Sequence, residues 1–109
     1  MSPNTLRYGD RVVQAFQYDG TQECAARIAA AFDLSVVQQA PRAVVFAVPP
    51  ELNFSPGEYY DLDTREIAVL AQGWVWLDRD DQMIGCEWDD YVRGHFSVDV
   101  AHTRGNSQQ

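Results

Sequence analysis

The sequence has no lysine and an excess of negative charge. All eight basic residues are arginines, and 16 Asp and Glu residues outnumber them, which gives a formal net charge of −8 and a pI near 4.4. Because a negatively charged surface repels phosphate, this balance argues against an electrostatic grip on nucleic acid or on an anionic membrane. We therefore expect no direct nucleic-acid partner.

Cysteine and histidine are also scarce. Cys24 and Cys86 are the two cysteines, with no CxxC spacing, and His95 and His102 are the two histidines. Two isolated cysteines favour a reducing compartment and build neither a disulfide framework nor a zinc site. The sequence also lacks a run near the roughly 18 apolar residues of a membrane span, and it lacks a secretory N-terminal segment. We expect a cytoplasmic protein without membrane contact and without metal or other cofactors.

Hydrophobic periodicity predicts an α+β fold. Residues 11–18 alternate as a strand does, and apolar residues at helical spacing then predict the main helix over 21–33. A shorter amphipathic pattern predicts a C-terminal helix over 89–95. Short alternating or β-branched runs predict further strands at residues 35–39, 42–48, 58–62, 66–71, 74–78 and 82–87. The first two of these form a hairpin and the last four a meander, so we expect a mostly antiparallel sheet with one principal helix packed on it.

The domain boundaries follow from where these patterns begin and end. A length of 109 residues, 46% of them hydrophobic, is that of one small globular domain. We expect residues 1–10 to be an N-terminal segment, residues 11–98 the domain, and residues 99–109 a polar tail. Residues 51–57 carry turn residues and no period, which predicts a loop with Phe54 folded beneath it.

Acidic residues are densest in the second half of the sequence. Six of them lie close together along the chain: Asp78, Asp80, Asp81, Glu87, Asp89 and Asp90. Carboxylates at this spacing can bind Ca²⁺ or Mg²⁺, but the EF-hand pattern is absent and aspartates are common in hairpin turns, so we expect no metal site. Two interpretations stay open. The acids keep the protein soluble, or they form a face that binds a basic protein, where they could mimic nucleic acid.

The tryptophans offer a second candidate surface. Trp74 and Trp76 alternate with Val75 and Leu77, which places both indoles on one face of a strand and both aliphatic side chains on the other. One interpretation is structural: the main helix covers one face, and the C-terminal helix or a loop covers the other. The alternative is that Trp74, Trp76 and Tyr60 belong to an aromatic patch that binds a partner.

A catalytic interpretation has two sets of residues available. Cys86 and His95 are a candidate nucleophile and base, although a cysteine in an apolar strand usually behaves as a small buried hydrophobe. A carboxylate pair of the glycosidase kind could come from Asp61, Asp63 and Glu66, but their spacing fixes no separation. We expect no enzymatic activity and keep a small hydrolase with either set as an alternative.

Several motifs resemble those of a family. Residues 13–20 (VQAFQYDG), followed by a helix, resemble the V-E-A-x-Q-W-x-G opening of a group of small phage and prophage proteins. The G-D-W-[IV] strand and the terminal F-x-x-x-[YF] motif of that group are similar to residues 73–76 (GWVW) and 91–96 (YVRGHF). The resemblance covers most of residues 11–98, with a longer segment at 52–65. It implies an α+β fold and a viral or prophage origin.

Together these observations predict a small phage-encoded accessory protein that acts by binding another protein. The partner is expected to be a host or defence protein that the acidic face inhibits. The alternative is a virion component, in whose structure or assembly the protein takes part. A homodimer is a further option, because a small sheet leaves edge strands that must be covered, charged or paired.

Overall fold

A computed structural model of the chain describes residues 4–54, 60–61 and 63–99. Within these residues the fold is α+β, as the sequence predicts, with one long helix and one short one. The helices are α1 (Gln22–Phe32) and α2 (Asp89–His95). The strands are β1 (Asn4–Tyr8), β2 (Arg11–Gln17), β3 (Ser35–Ala40), β4 (Ala43–Ala47), β5 (Asn53–Phe54), β6 (Tyr60–Asp61), β7 (Glu66–Leu70), β8 (Trp74–Asp78), β9 (Met83–Glu87) and β10 (Ser97–Asp99). Neither of these helices combines the length and the hydropathy that a membrane crossing requires.

The strands form two sheets rather than one. The six-stranded sheet has the order β10-β1-β2-β8-β9-β5, and the four-stranded sheet has the order β3-β4-β7-β6. Described neighbours are antiparallel except β5 and β9, which are parallel. The predicted meander is wrong at one point, because β7 and β8 lie in different sheets. Tyr18, which directly follows β2, makes two backbone hydrogen bonds to the connection between β7 and β8. Its N–H donates to the Gly73 carbonyl, and its carbonyl accepts from the Gln72 N–H.

Helix α1 lies within one residue of the predicted bounds at each end, because both of its ends carry capping residues. The Thr21 hydroxyl accepts from the Cys24 N–H at 3.1 Å, and Asp33 at the C-terminal end adopts the left-handed conformation (φ 58°). Asp19 in turn accepts from the Thr21 hydroxyl and N–H, and these hydrogen bonds lower the pKa of its carboxyl. The ordered turn before the helix therefore fixes where the chain leaves β2.

The main core combines α1 with side chains from both sheets. Helix α1 contributes Cys24, Ala25, Ile28 and Phe32, and Phe32 meets Phe16 of β2 edge to face at 5.5 Å. The sheets contribute mainly Val44, Phe46, Ile67, Val69, Val75, Leu77, Ile84 and Cys86. Each large apolar side chain buried here contributes about 1.5–3 kcal/mol, so this core supplies most of the driving force for folding.

A second core lies on the other face of the six-stranded sheet. It contains Leu6, Val13, Ala15, Trp74, Trp76 and Val92, with Phe96 and Val98 packed against it. The predicted alternation of indoles and aliphatic side chains is confirmed, because Val75 and Leu77 belong to the main core. Helix α2 and β10 cover the indole face, as the structural interpretation required.

Trp76 approaches its neighbouring strand closely. A Cβ added at Gly85 of β9 would lie 2.4 Å from two atoms of the Trp76 ring, which is closer than real Cβ atoms come to other groups. Glycine at this position lets the indole pack directly against the β9 backbone within the second core.

Three strands lie where the sequence predicts none. β1 falls in the expected N-terminal segment, where it pairs with β2 on one side and β10 on the other. β5 falls in the predicted loop, although its Phe54 does pack partly buried against the main core. The third strand is β10, at the C-terminal end of the expected domain. Each of the three has at most five residues and few buried side chains, so its alternation of apolar and polar residues is too short to predict a strand. Of the predicted strand 58–62 and the predicted tail 99–109, most residues lie outside the described part of the chain.

Candidate partner-binding surface

The six clustered acids lie in two groups, at opposite ends of one hairpin. In the β8–β9 hairpin, Asp78 pairs with Met83 at the turn end, and Trp74 pairs with Glu87 at the opposite end. Four residues at about 3.3 Å each separate these ends by about 13 Å. The expected acidic face is therefore two groups: Asp78, Asp80 and Asp81 at the turn, and Glu87, Asp89 and Asp90 at the start of α2.

Asp78 stabilises the hairpin turn. It is 6% exposed and forms an ion pair with Arg11, which also pairs with Asp81 at 3.0 Å. Its Oδ1 accepts from the backbone N–H of Asp80 at 3.1 Å and of Asp81 at 3.2 Å. A carboxylate with these partners has a structural role. A binding role at the turn would fall to the exposed Asp80 and Asp81.

Asp89 anchors α2 to the sheet. Its Oδ1 accepts from the indole Nε1 of Trp74 at 2.8 Å, from Nε2 of Gln17 at 3.1 Å and from Nε of Arg93 at 2.8 Å. Trp74 is 1% exposed, so the carboxylate satisfies a buried donor that water cannot reach. At this end of the hairpin the surface acids are the half-buried Glu87 and the exposed Asp90.

The aromatic patch predicted at Trp74 and Trp76 is not on the surface. Trp76 is 5% exposed and meets the Phe96 ring at 5.1 Å, so both indoles are core side chains. Tyr60 belongs to β6, but its side chain lies outside the described residues. Among the side chains that the structure describes, the exposed aromatic residues are instead Trp88, at 50%, and Tyr91, at 44%. The position of Trp88 in the sequence indicates its exposure, because it lies between a strand and a helix and belongs to neither periodic pattern.

Trp88 stands beside a cavity that opens between β7 and β9. The cavity has a volume of about 110 Å³ and is lined by Ala68, Val69, Leu70, Ala71, Gly73, Cys86, Glu87 and Trp88. This is about ten times the volume that one water molecule needs, and it is well below the roughly 300–1,000 Å³ of small-molecule sites. The cavity is therefore smaller than a typical small-molecule site and large enough to admit an apolar side chain.

The outer face of the four-stranded sheet continues this apolar surface. Ala43 pairs with Leu70 and Val45 pairs with Ala68, on the opposite face from the buried Val44 and Val69. Leu70 is 53% exposed, and both it and Ala68 also line the cavity. An uncovered apolar surface among the described residues thus lies on the outer face of the four-stranded sheet, whereas the indoles of the tryptophan-bearing strand are covered.

Cys86 and His95 do not come together. The Cys86 side chain belongs to the main core, whereas α2, which carries His95, packs on the opposite face of the same sheet. Burial, and to a lesser extent the charge of Glu87, raises the pKa of the Cys86 thiol to about 12, so the thiol is protonated at neutral pH. The His95 ring stacks on Tyr91 at 4.1 Å. These two residues therefore cannot act as a nucleophile and base in one site.

The structure pairs Asp61 with Glu66 across β6 and β7, but it does not describe the whole carboxylate set. His102 and the Asp61 side chain lie outside the described residues, while Asp63 is exposed and Glu66 half-buried. In the part of the chain that the structure describes, no three His, Cys, Asp or Glu side chains are grouped to hold a metal ion.

Comparisons of the chain with protein-family models, with curated proteins and with solved structures gave no match. The resemblance to small phage and prophage proteins stays a prediction, and the function has to be argued from the surface.

Proposed function

We propose that this protein acts by binding another protein through the Trp88 surface, which comprises the cavity between β7 and β9 and its rim of Ala68, Leu70 and Trp88. The observation that carries the proposal is a half-exposed indole next to an apolar cavity of side-chain size. Tryptophan is the residue most enriched in the energetic centres of protein interfaces, and large apolar side chains grouped on a surface typically mark such centres.

The chemistry around the cavity specifies the partner. Glu87 lines the cavity, Asp90 follows on the exposed face of α2, and the whole chain carries a net charge of −8. A fitting partner inserts one apolar side chain and places arginine or lysine residues around it. Burying the exposed half of the Trp88 side chain, about 100 Å², contributes about 2.5 kcal/mol at about 25 cal/mol per Å².

A partner of this kind fits the role of this protein as an inhibitor of a host or defence protein. Such a protein would be blocked at a positively charged surface, and the acids would strengthen and accelerate the encounter. The separation of Cys86 from His95 supports a binding role over a hydrolytic one. A role in the virion is the alternative outcome of the same experiment, because the Trp88 surface would then capture a phage structural protein.

The test is capture from lysates of infected and uninfected bacteria, with the wild-type protein and Trp88→Ala as baits. We expect at least one protein that binds the wild type and is reduced about tenfold or more by Trp88→Ala. The control is Val12→Ala, which removes another exposed apolar side chain (56%) on β2 and should leave capture unchanged. Far-UV circular dichroism checks that both variants are folded.

A second pair of variants tests the role of charge. Asp90→Asn and Asp80→Asn each neutralise one exposed aspartate, at opposite ends of the hairpin. Asp90→Asn should weaken binding and reduce its salt dependence, while Asp80→Asn should have little effect. Captured proteins that bind Trp88→Ala as well as they bind the wild type would overturn the proposal.

A further inference from the structure

Strand β3 forms one edge of the four-stranded sheet. Among the described residues the two sheets end at β10, β5, β3 and β6. Within the described residues β3 has six residues, whereas the other three edge strands have two or three, and each of those three adjoins residues that the structure does not describe. β3 is therefore the longest described edge, and a long edge offers a row of unpaired backbone groups to another chain.

The sequence of β3, SVVQQA, contains none of the residues that usually protect an edge. It has no charged residue and no proline, although 22% of the whole chain is charged. Val36 is 43% exposed and Val37 is 52% exposed. The register shift between Val36 and Gln38 leaves Val37 without a partner residue in β4, and this bulge is the only protective irregularity on the strand.

We propose that β3 pairs antiparallel with β3 of a second copy of this chain across a two-fold axis. Two antiparallel copies of one strand match each other's donors and acceptors, so the edge is self-complementary. The pairing would join two four-stranded sheets into one continuous sheet of eight strands. The exposed valines would then pack against the other copy instead of facing water.

The matching of donors and acceptors favours a second copy at this edge, and charge restricts where two copies can touch. Each copy carries a net charge of −8, so the two copies repel each other overall, and contact is least unfavourable along an uncharged strip such as β3. A basic partner would find no acidic side chain on β3. It would be directed to the Trp88 surface, where Glu87 and Asp90 lie.

The size of the contact predicts a weak, reversible dimer. A paired six-residue strand is about 20 Å long and buries roughly 300–400 Å² on each copy, about half of what a standard interface buries. We expect a dissociation constant of about 10–100 µM. Raising the salt concentration should tighten the dimer, because salt screens the repulsion between two acidic copies.

The experiment is sedimentation equilibrium of the full chain over about 5–500 µM, a range that brackets the expected constant. The wild-type mass should rise from the monomer value of 12.3 kDa towards twice that value. Val37→Glu places a carboxylate on the edge of both copies and should weaken the dimer at least about tenfold. Val12→Glu makes the same charge change at an exposed valine within β2 and should dimerise like the wild type.

Two results would overturn the proposal. One is a wild-type mass that stays at the monomer value at the highest protein concentration and at high salt. The other is a dimer that survives Val37→Glu but is lost in Trp88→Ala, because the second copy would then occupy the Trp88 surface. Thermal unfolding of each variant confirms that a loss of mass reflects dissociation and not unfolding.

Discussion

Asp89 should be far more important for stability than the aspartate next to it. Asp89→Ala removes the acceptor of three side-chain hydrogen bonds, including the one from the buried indole of Trp74. Asp90→Ala removes the same charge from the same first turn of α2, but Asp90 is exposed. The two variants lose similar favourable interactions with the helix dipole and gain similar helix propensity, so their difference isolates the hydrogen bonds.

The magnitude follows from the three partners. Leaving a buried N–H without an acceptor costs about 1–3 kcal/mol, and this applies to the Trp74 indole, which is 1% exposed. The bond from Gln17 adds about 0.5–1 kcal/mol, and the exposed ion pair with Arg93 adds about 0.3–0.5 kcal/mol. We expect Asp89→Ala to be less stable than Asp90→Ala by about 2–4 kcal/mol, a large part of the 5–15 kcal/mol typical of a domain.

The assay is urea unfolding followed by far-UV circular dichroism, because tryptophan fluorescence would itself change when Trp74 loses its partner. Asp89→Asn retains an oxygen acceptor and should recover a substantial part of the lost stability. If Asp89→Ala and Asp90→Ala unfold within about 0.5 kcal/mol of each other, α2 is not held by these hydrogen bonds. Asp89 would then be free to serve in an acidic binding face.

Two further predictions concern the packing and the pH dependence of the strands. Gly85→Ala should destabilise the fold by about 1–3 kcal/mol, because the new methyl group meets the Trp76 ring. The methyl group of Gly94→Ala in α2 meets nothing within 4 Å, so this variant should be neutral or stabilising. Thermal unfolding of both variants checks these expectations. The folded Cys86 thiol keeps its proton up to a pKa of about 12, while the unfolded thiol ionises above about 9, so stability should fall as the pH rises between these values. At pH 10 the loss is about 1.4 kcal/mol. Cys86→Ala should show a correspondingly smaller loss between pH 7 and pH 10 in urea unfolding, and an unchanged loss would contradict the burial of a neutral thiol.

The sequence predicts those elements whose signals are local. Helix α1 could be placed to within one residue at each end, because Thr21 and the apolar stripe lie within eleven residues of each other. The faces of β8 follow from alternation alone. The division into two sheets had no such signal. Strands β7 and β8 are adjacent in sequence and look like a hairpin, yet the chain crosses between sheets at Gln72, which adopts φ 75°.

The prediction that Trp74 and Trp76 lie on the surface is wrong for a related physical reason. Alternation shows that two indoles share a face, but whether that face is covered depends on α2 and β10, which arrive from the end of the chain. Trp74 and Trp76 are therefore buried by residues that no local pattern connects to them. Trp88 has the same side chain and is half exposed, because it precedes α2 instead of lying beneath it.

The two proposed surfaces respond to salt in opposite directions, and this follows from the single sign of the net charge. A basic partner is attracted to the acids beside Trp88, so salt weakens that complex. Two copies of the chain repel each other, and only the uncharged strip along β3 brings them together, so salt strengthens the dimer. In the four-stranded sheet β4 separates β3 from β7, so one surface can be occupied while the other is free. A dimer would then present two Trp88 surfaces, and a partner with repeated sites would be held more tightly than either contact alone allows.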